Sequence, residues 1–354
     1  MTQIASGSRP EVDAALVLLA KLGLSVEDLT AGAVAARPTV PTFAQFVPEV
    51  VEATSAGTLK CYGTYWNRVV EDWGSRLLTD PTPLEIEQLG KRLRAARVVR
   101  RNGRDGSGAE ENYVAAMRCL YRRAVANGFL TEAENPAAKV PKPRRQPNTR
   151  RALSGERIAE LNEVASTTGN DPKLDSLLMR FHTETACRRG GALGLRRRDL
   201  DPTQCLVLLR EKGGTQRWQP VSPTLMRYLI AHWDERGDGD PGSSAQLLRY
   251  IDGHPITYRR YDHLWDRIGR HLPWVATQGI SAHWLRHTVI TWVERTFGYA
   301  VAREFAGHTG SGGDVGVTAT YIKADITEVA AAVAALTGEP HPLAPAATAD
   351  SGAA

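Results

Sequence analysis

Residues 281–297 read Ser-Ala-His-Trp-Leu-Arg-His-Thr-Val-Ile-Thr-Trp-Val-Glu-Arg-Thr-Phe, and the stretch predicts a helix from His283 to Phe297. His283 lies one helical turn before Arg286, so both side chains point to the same side of the helix start. Gly307-His308 follows, and Tyr321 comes thirteen positions after His308. Imidazole, guanidinium and phenol groups are able to bind an oxyanion, move a proton and attack. The region from 283 to 321 is therefore a candidate for carrying chemistry.

Two segments upstream carry related groups. Residues 185–193 contain Arg188 and Arg189 followed by two glycines. Short strands over 205–210 and 218–221 predict a β-hairpin, and Lys212 lies in its glycine-containing turn. A guanidinium offers a planar fork to two phosphate oxygens and keeps its charge, whereas a lysine on a mobile turn is suited to proton donation.

The ordered set of motifs resembles the tyrosine recombinase family, the phage integrases and their chromosomal relatives. Its members here are Arg188, Lys212, His283-x-x-Arg286, Gly307-His308 and Tyr321. Each motif alone is weak, but five in the family's order are specific. The resemblance implies a site-specific DNA recombinase that cleaves and rejoins strands through a 3′-phosphotyrosyl intermediate.

The resemblance also implies how the charges are used. Arg188 and Arg286 would stabilise the non-bridging phosphate oxygens, and Arg188 rather than Arg189 matches the family's first arginine. Lys212 would donate a proton to the leaving 5′ oxygen. His287, next to the motif, is expected to be structural.

The remaining three roles concern the histidines and the nucleophile. His283 would act in acid–base transfer, and His308 would donate a hydrogen bond to the phosphate. Tyr321 would attack as the nucleophile; no other tyrosine follows the Gly-His segment. The covalent link conserves the bond energy, so the resemblance implies neither cofactor nor metal.

The chain departs from the family in two places. Relatives often carry an acidic residue three positions after the first arginine, where it orients neighbouring groups, but this chain has Gly191. The interval between His308 and Tyr321 is long and rich in glycine over 309–316. The first departure means that support for the groups around Arg188 either comes from elsewhere or is absent, and the second predicts a flexible loop before the tyrosine.

The last predicted helix, 326–336, carries an apolar stripe of Val329, Ala332, Val333 and Leu336. In the family the segment after the tyrosine commonly docks into a neighbouring subunit, so the resemblance implies docking in trans; docking within the same chain is the alternative. The implied partners are double-stranded DNA with specific recombination sites, three further copies in a homo-tetramer on DNA, and an accessory directionality factor.

Composition sets the broad class. The chain has 354 residues, 42% of them hydrophobic, and a net charge of +5, which permits a polyanionic partner without requiring one. The N-terminus lacks a signal-peptide pattern, and the most apolar stretch, 14–24, is interrupted by Lys21. A cytoplasmic protein with no membrane segment is expected. The four cysteines show no metal-type spacing and are predicted to be buried, reduced thiols.

The predicted fold class is mainly α with a small β-sheet: an α+β catalytic domain preceded by an all-α DNA-clamping domain. The predicted organisation is a helical appendage (1–40), the helical domain (41–140), a basic, proline-rich linker (141–152), the catalytic domain (153–337) and a disordered tail (338–354). Pro136, shortly before the linker, is already expected to interrupt helix.

Basic side chains recur in the first domain and the linker. Those predicted to contact DNA are Lys91, Arg94, Arg118, Arg122, Arg123, Arg144 and Arg145. Such residues are able to track a phosphate backbone, although a solvated charged face explains them as well. Two other functions stay open: a catalytically inactive DNA-binding regulator of the same fold, and a type IB topoisomerase.

Overall fold

The computed structural model describes residues 9–22, 25–27, 38–96, 107–143, 150–211, 214–308 and 324–345. The chain divides into two compact units, residues 1–147 and 148–354. Both are mainly helical, and the second also contains a three-stranded antiparallel sheet. The predicted fold class is confirmed.

The described helices of the first unit are α1 Arg9–Leu22, α2 Phe43–Glu52, α3 Ala56–Trp73, α4 Pro83–Ala95, α5 Ser107–Ala126 and α6 Pro136–Lys139. Four of them, α2, α3, α4 and α6, begin after a capping side chain. Thr42 accepts from the backbone N–H of Gln45, whose side chain in turn accepts from the N–H of Thr42. This capping box satisfies amide groups that have no partner inside the helix.

The core of the first unit is apolar and aromatic. Phe43, Trp66 and Tyr121 are fully buried because they recur on the inward faces of their helices. The indole N–H of Trp66 donates to the carbonyl of Ala116 at 3.0 Å, so its polar atom is satisfied. Unit 1 is therefore held together by packed helix faces.

Helix α6 corrects the expectation that Pro136 interrupts helix. Asn135 caps the helix by accepting from the N–H of Ala138 at 3.1 Å, and Pro136 occupies the first turn, where it needs no donor. Ala137 and Val140 are buried in the core of the first unit. The proline begins a helix here instead of breaking one.

The second unit alternates helices with one small sheet. Its described elements are α7 Gly155–Thr167, α8 Pro172–Thr185, α9 Arg189–Leu193, β1 Leu200–Asp201, β2 Leu206–Arg210, β3 Gln216–Pro220, α10 Pro223–Arg236, α11 Tyr258–His271, α12 Pro273–Gln278, α13 Ala282–Phe305 and α14 Ile326–Thr337. Strands β2 and β3 pair antiparallel with Leu208 opposite Trp218, which confirms the predicted hairpin. Strand β1 adds a third strand beside β2.

Helix α13 is interrupted at Gly298, which has a φ of +86° and non-helical geometry. Only glycine adopts such a conformation readily, so the chain changes direction there. The helix predicted over 283–297 corresponds to the part of α13 before this break.

Helix α14 packs within its own chain. Val329, Ala332 and Val333 are buried against Val293 and Phe305 of α13. The described structure therefore shows the alternative, packing of the stripe within its own chain, and docking into a neighbouring subunit stays a prediction.

The segment after α14 corrects the prediction of a disordered tail for residues 338–345. Glu339 accepts from Arg180 at 2.7 Å and from the N–H of Thr224 at 3.1 Å. His341 is 5% exposed and lies 3.3 Å from the carbonyl of Cys205. An ion pair and a buried ring fix this segment to the second unit; residues 346–354 lie outside the described residues.

No helix in the described part of the chain is long and apolar enough to cross a membrane. The described ranges also hold no cluster of three or more histidine, cysteine, aspartate or glutamate side chains suited to a metal ion. All four cysteines are free: Cys187 and Cys205 are buried as predicted, whereas Cys61 is exposed and Cys119 is partly exposed.

Candidate active site

The turn that presents Arg188 follows the end of helix α8. Ala186 adopts a left-handed conformation with a φ of +46°, which is uncommon for a residue with a side chain. The hydroxyl of Thr185 accepts from the N–H of Cys187 at 3.2 Å and stabilises the turn. Arg188 then stands in extended geometry immediately before α9. The chain reversal directs the Ala186 carbonyl and the Arg188 side chain into the same region.

A buried histidine, His182, stabilises this turn through hydrogen bonds. His182 lies with Nδ1 3.2 Å from the carbonyl of Cys187 and Nε2 2.9 Å from the hydroxyl of Tyr261. Burial lowers the pKa of His182 to about 4, so the ring is neutral near pH 7. Because a carbonyl only accepts, Nδ1 carries the proton and Nε2 accepts from Tyr261. The three residues lock the backbone one position before Arg188.

Arg286 is buried beside this turn and is 3% exposed. Its Nη1 donates to the carbonyl of Ala186 at 2.5 Å and its Nη2 to the carbonyl of Ala306 at 2.7 Å. Both carbonyls end helices, where the helix dipole favours a cation. Burial and the neighbouring charge of Arg188 lower the pKa of Arg286 to about 10, which still leaves the guanidinium charged near pH 7.

The break at Gly298 makes this arrangement possible. Arg286 and Ala306 belong to the same helical segment, and an uninterrupted helix would separate them by about 30 Å. The change of direction brings the Ala306 carbonyl, and His308 two residues later, back to Arg286.

His308 lies next to Arg286, with Nε2 3.3 Å from Nη2 of the guanidinium. An arginine only donates, so Nε2 accepts and the proton of the neutral ring is on Nδ1. Partial desolvation and the positive charge of Arg286 lower the pKa of His308. The same causes, desolvation first and then the charges of Arg150 and Arg286, lower the pKa of His283. Both rings are neutral near pH 7.

A buried carboxylate joins the two arginines. Glu211 follows strand β2, and its Oε1 accepts from the backbone N–H of Arg188 at 2.9 Å while Oε2 accepts from the Arg188 guanidinium. Nη1 of Arg286 lies 3.8 Å from Oε1. Glu211 was not among the residues predicted from the sequence. The available signal was Gly191, at the position where the resemblance implies an acidic neighbour for Arg188.

Comparison with known proteins identifies the family of this chain. The model of the phage integrase family matches residues 151–326. Tyrosine recombinase XerD of Mycobacterium tuberculosis is 28% identical over 277 residues, which cover 73% of this chain and 86% of XerD. Tyrosine recombinase XerC of Pelobacter propionicus is 26% identical over 178 residues, half of this chain and 57% of XerC. The chain belongs to the phage integrase family.

Solved structures agree on the fold. A lambda integrase dimer bound to a COC′ core site matches with a TM-score of 0.58 and 15% identity, covering 90% of this chain and 87% of that one. The XerH site-specific recombinase bound to a palindromic difH substrate matches with a TM-score of 0.53 over 71% of this chain. This integrase-family member therefore shares the fold of these proteins.

In this phage integrase family member, the structure brings Arg188, Arg286 and His308 together around Glu211. His283 lies at the start of helix α13, one turn before Arg286, and is exposed, whereas Arg286 is buried. His283 has no hydrogen-bond partner within the described residues. Lys212 directly follows Glu211 but, like Tyr321, lies outside the described residues. The roles predicted for these two residues remain predictions.

A second residue that the sequence analysis missed is Arg217 on strand β3. Its Nη2 donates to the carbonyl of Thr185 at 3.1 Å, and its Nη1 donates to the side chain of Gln219. The sheet is thereby tied to the turn that presents Arg188. Side chains alternate along a strand, so Arg217 points to the other face of the sheet from its exposed neighbours Gln216 and Trp218. This alternation was the sequence signal for its inward direction.

The basic residues predicted to contact DNA divide into two groups. Arg118 donates to the carbonyls of Ala137 and Val140, at 3.3 and 2.7 Å, and so holds α6 in place. Arg123 donates to the carbonyl of Ala53 at 3.3 Å. The guanidiniums of both therefore stabilise the first unit.

The other basic candidates lie at the surface or outside the described residues. Arg94 pairs with Glu110 at 3.2 Å across the surface, and Arg122 is exposed with one bond to the backbone of its own helix. Lys91 is exposed. Arg144 and Arg145 lie outside the described residues. Lys91 and Arg122 remain the clearest described candidates for contact with a polyanion.

Proposed function

We propose that this phage integrase family member is a site-specific recombinase that cleaves DNA by attack of Tyr321 on a phosphodiester and rejoins it by the reverse step. The observation that carries the proposal is the convergence of the Arg188 and Arg286 guanidiniums and the His308 ring around one buried carboxylate. The two cations outnumber the single anion that they share. The excess positive charge suits the binding of a phosphate diester.

The donors that remain on these groups define how the phosphate is held. Nη1 of Arg286 has two hydrogens and donates one of them to the Ala186 carbonyl, whereas Nη2 donates both of its hydrogens, one to the Ala306 carbonyl and one to Nε2 of His308. The protonated Nδ1 of His308 offers a further donor. Arg188 is 37% exposed at its side chain and shares the Glu211 carboxylate with Arg286. Together they would stabilise the charge that develops on the non-bridging oxygens as Tyr321 attacks.

Proton transfer completes the proposal. The phenol of Tyr321 must lose a proton as its oxygen bonds to phosphorus, and the departing 5′ oxygen must gain one. His283, neutral near pH 7, accepts in the first step, and Lys212 donates in the second. The phosphotyrosyl bond keeps the energy of the broken diester, so the 5′ hydroxyl of a second strand restores the DNA backbone without a nucleotide cofactor.

The relatives suggest how the recombinase assembles. One solved relative is a lambda integrase tetramer bound to a Holliday junction. We infer that this protein likewise acts as a homo-tetramer on two paired duplex sites, in the cytoplasm, and that an accessory directionality factor sets the balance of integration and excision.

The decisive experiment uses nicked duplexes tiled across the DNA that flanks its gene. The wild-type protein is expected to form a covalent adduct on one of them, resolved by denaturing gel. Tyr321→Phe should retain DNA binding and lose the adduct entirely, because the attacking oxygen is gone. Tyr299→Phe removes an exposed hydroxyl outside the site and should leave the adduct unchanged.

Each other outcome separates a competing function. An adduct that persists in Tyr321→Phe contradicts the assignment of the nucleophile. Sequence-specific binding without any adduct from the wild type indicates a non-catalytic regulator. Relaxation of supercoiled plasmid with no sequence dependence indicates a type IB topoisomerase.

A further inference from the structure

Gly191 and Glu211 lie against each other at the base of Arg188. Gly191 is in helix α9, three positions after Arg188, where the family often has an acidic residue. A Cβ atom built on Gly191 would lie 3.4 Å from Cγ and 3.5 Å from Oε1 of Glu211. The Glu211 side chain therefore fills the volume into which a side chain at position 191 would point.

The contacts of Glu211 are those of a group that orients an arginine. One oxygen accepts from the Arg188 main-chain N–H at 2.9 Å and the other accepts from its guanidinium, so both ends of Arg188 are held by one side chain. The carboxylate side chain is 2% exposed and also lies 3.8 Å from Arg286. Removing one partner of a buried ion pair leaves the other charge uncompensated.

We propose that Glu211 is the positioning residue for Arg188 and that it replaces, from strand β2, the carboxylate that relatives carry at position 191. The inference rests on the proposed recombinase function. We infer that the two positions have exchanged roles: Gly191 leaves space for the Glu211 side chain, and Glu211 supplies the negative charge beside Arg188.

The exchange has a structural consequence. Glu211 is the residue immediately before Lys212, whereas an acid at 191 would belong to the same short helix that follows Arg188. Here one side chain ties the hairpin turn that carries Lys212 to the arginine that binds the phosphate.

The test is a double-mutant cycle on adduct formation in single turnover, with saturating protein and the nicked duplex that the wild type cleaves. Glu211→Gln is expected to slow adduct formation by about 10- to 100-fold, the usual loss when a group that orients a reacting residue is removed. DNA affinity should change by less than about threefold, since the phosphate contacts elsewhere are intact.

Two further variants test the exchange itself. Gly191→Glu alone should also slow the reaction, because its carboxylate would meet Glu211 in the same volume. The combined Gly191→Glu and Glu211→Gly variant restores one carboxylate to that volume and is expected to recover adduct formation to within about fivefold of the wild type, strongly non-additive for residues in contact.

Glu184→Gln is the matched control. Glu184 is as buried as Glu211, accepts from an arginine and from the backbone N–H of Ser222, and does not contact the site. It carries the same structural cost and should leave the adduct rate of the remaining folded protein unchanged. Thermal melting of every variant measures the folded fraction.

The outcomes are separable. No adduct from the wild type on any duplex contradicts the proposed function itself. An active wild type with Glu211→Gln equally fast, or a combined variant no faster than Gly191→Glu alone, contradicts the role of Glu211. If Glu211→Gln does not fold, the comparison of Gly191→Glu with the combined variant still decides.

Discussion

The two units of this recombinase bury different chemistry. In the described part of the first unit, the buried polar side chains are Thr54 and Asn135, and no charged side chain is buried. In the second, carboxylates, guanidiniums and imidazoles all lie in the interior, among them Asp175, Glu211 and Arg286. The first unit resembles an ordinary helical core, whereas the second is organised around fixed charges.

The difference follows from what each unit has to hold. Packed helix faces are enough to fix the shape of a module that presents side chains at its surface. A site for a phosphate needs guanidiniums in defined orientations, and burying them requires carboxylates and carbonyls that compensate each charge. The second unit therefore depends on ion pairs whose loss leaves an unpaired charge inside the protein.

The largest expected effect comes from removing a buried carboxylate. Asp175 is fully buried and accepts from Arg260 at 2.7 Å and from Arg267 at 2.5 Å. Asp175→Asn leaves both guanidiniums without an anion and should lower the free energy of unfolding of the second unit by about 3–5 kcal/mol. Urea unfolding of the full chain, with hydrogen exchange read by mass spectrometry, assigns the loss to residues 150–345.

The matched change in the first unit is Glu71→Gln. Glu71 pairs with Arg68 at 3.0 Å, but the two side chains are 62% and 52% exposed. Water and salt screen such a pair, so the loss should be at most about 1 kcal/mol. Equal losses from the two substitutions would contradict the distinction between the units.

Mild acid should affect only the second unit. All nine histidines of the chain follow residue 148, and burial lowers the pKa values of His182 and His232 to about 4. The unfolded state therefore binds protons that the folded state does not. The resulting stabilisation is complete above pH 6.5 and is lost as the pH falls from 6.5 towards 4.

The expected loss at pH 5 is about 2 kcal/mol for each of these two histidines. Unfolding of the full chain in urea at pH 7.5 and pH 5.0, with exchange monitored separately in residues 41–143 and 150–345, measures it. The first unit contains no histidine and should change little over this interval. Parallel destabilisation of both units would show that buried histidines are not the cause.

The comparison also explains which features the sequence predicts. Thr42, Ser55 and Ser154 are helix caps whose partners lie three residues away, so local sequence is sufficient. The hairpin around 211–215 is equally local. Pro136 was misinterpreted because a proline breaks a helix interior but begins a helix after a capping asparagine such as Asn135.

Residue type and order predicted the members of the candidate active site, but not the side chains that position them. Arg188, Arg286 and His308 could be chosen because their motifs are contiguous in sequence. Glu211 could not, because its importance depends on its distance from Gly191 and Arg188, which only the folding of β2 against α9 establishes. Side chains that position a reacting group carry no motif of their own.

The smallest expected effect distinguishes two tyrosines in the first unit. Tyr113 and Tyr121 are both fully buried, and burial raises the pKa of each hydroxyl. The Tyr121 hydroxyl donates to the carbonyl of Leu78 at 2.9 Å, whereas the Tyr113 hydroxyl has no hydrogen-bond partner among the described residues. Tyr121→Phe should therefore cost about 1 kcal/mol of unfolding free energy, and Tyr113→Phe should be neutral or slightly stabilising. Urea unfolding measures both, and a loss for Tyr113→Phe as large as that for Tyr121→Phe would mean that the core of the first unit is less purely apolar than its buried side chains indicate.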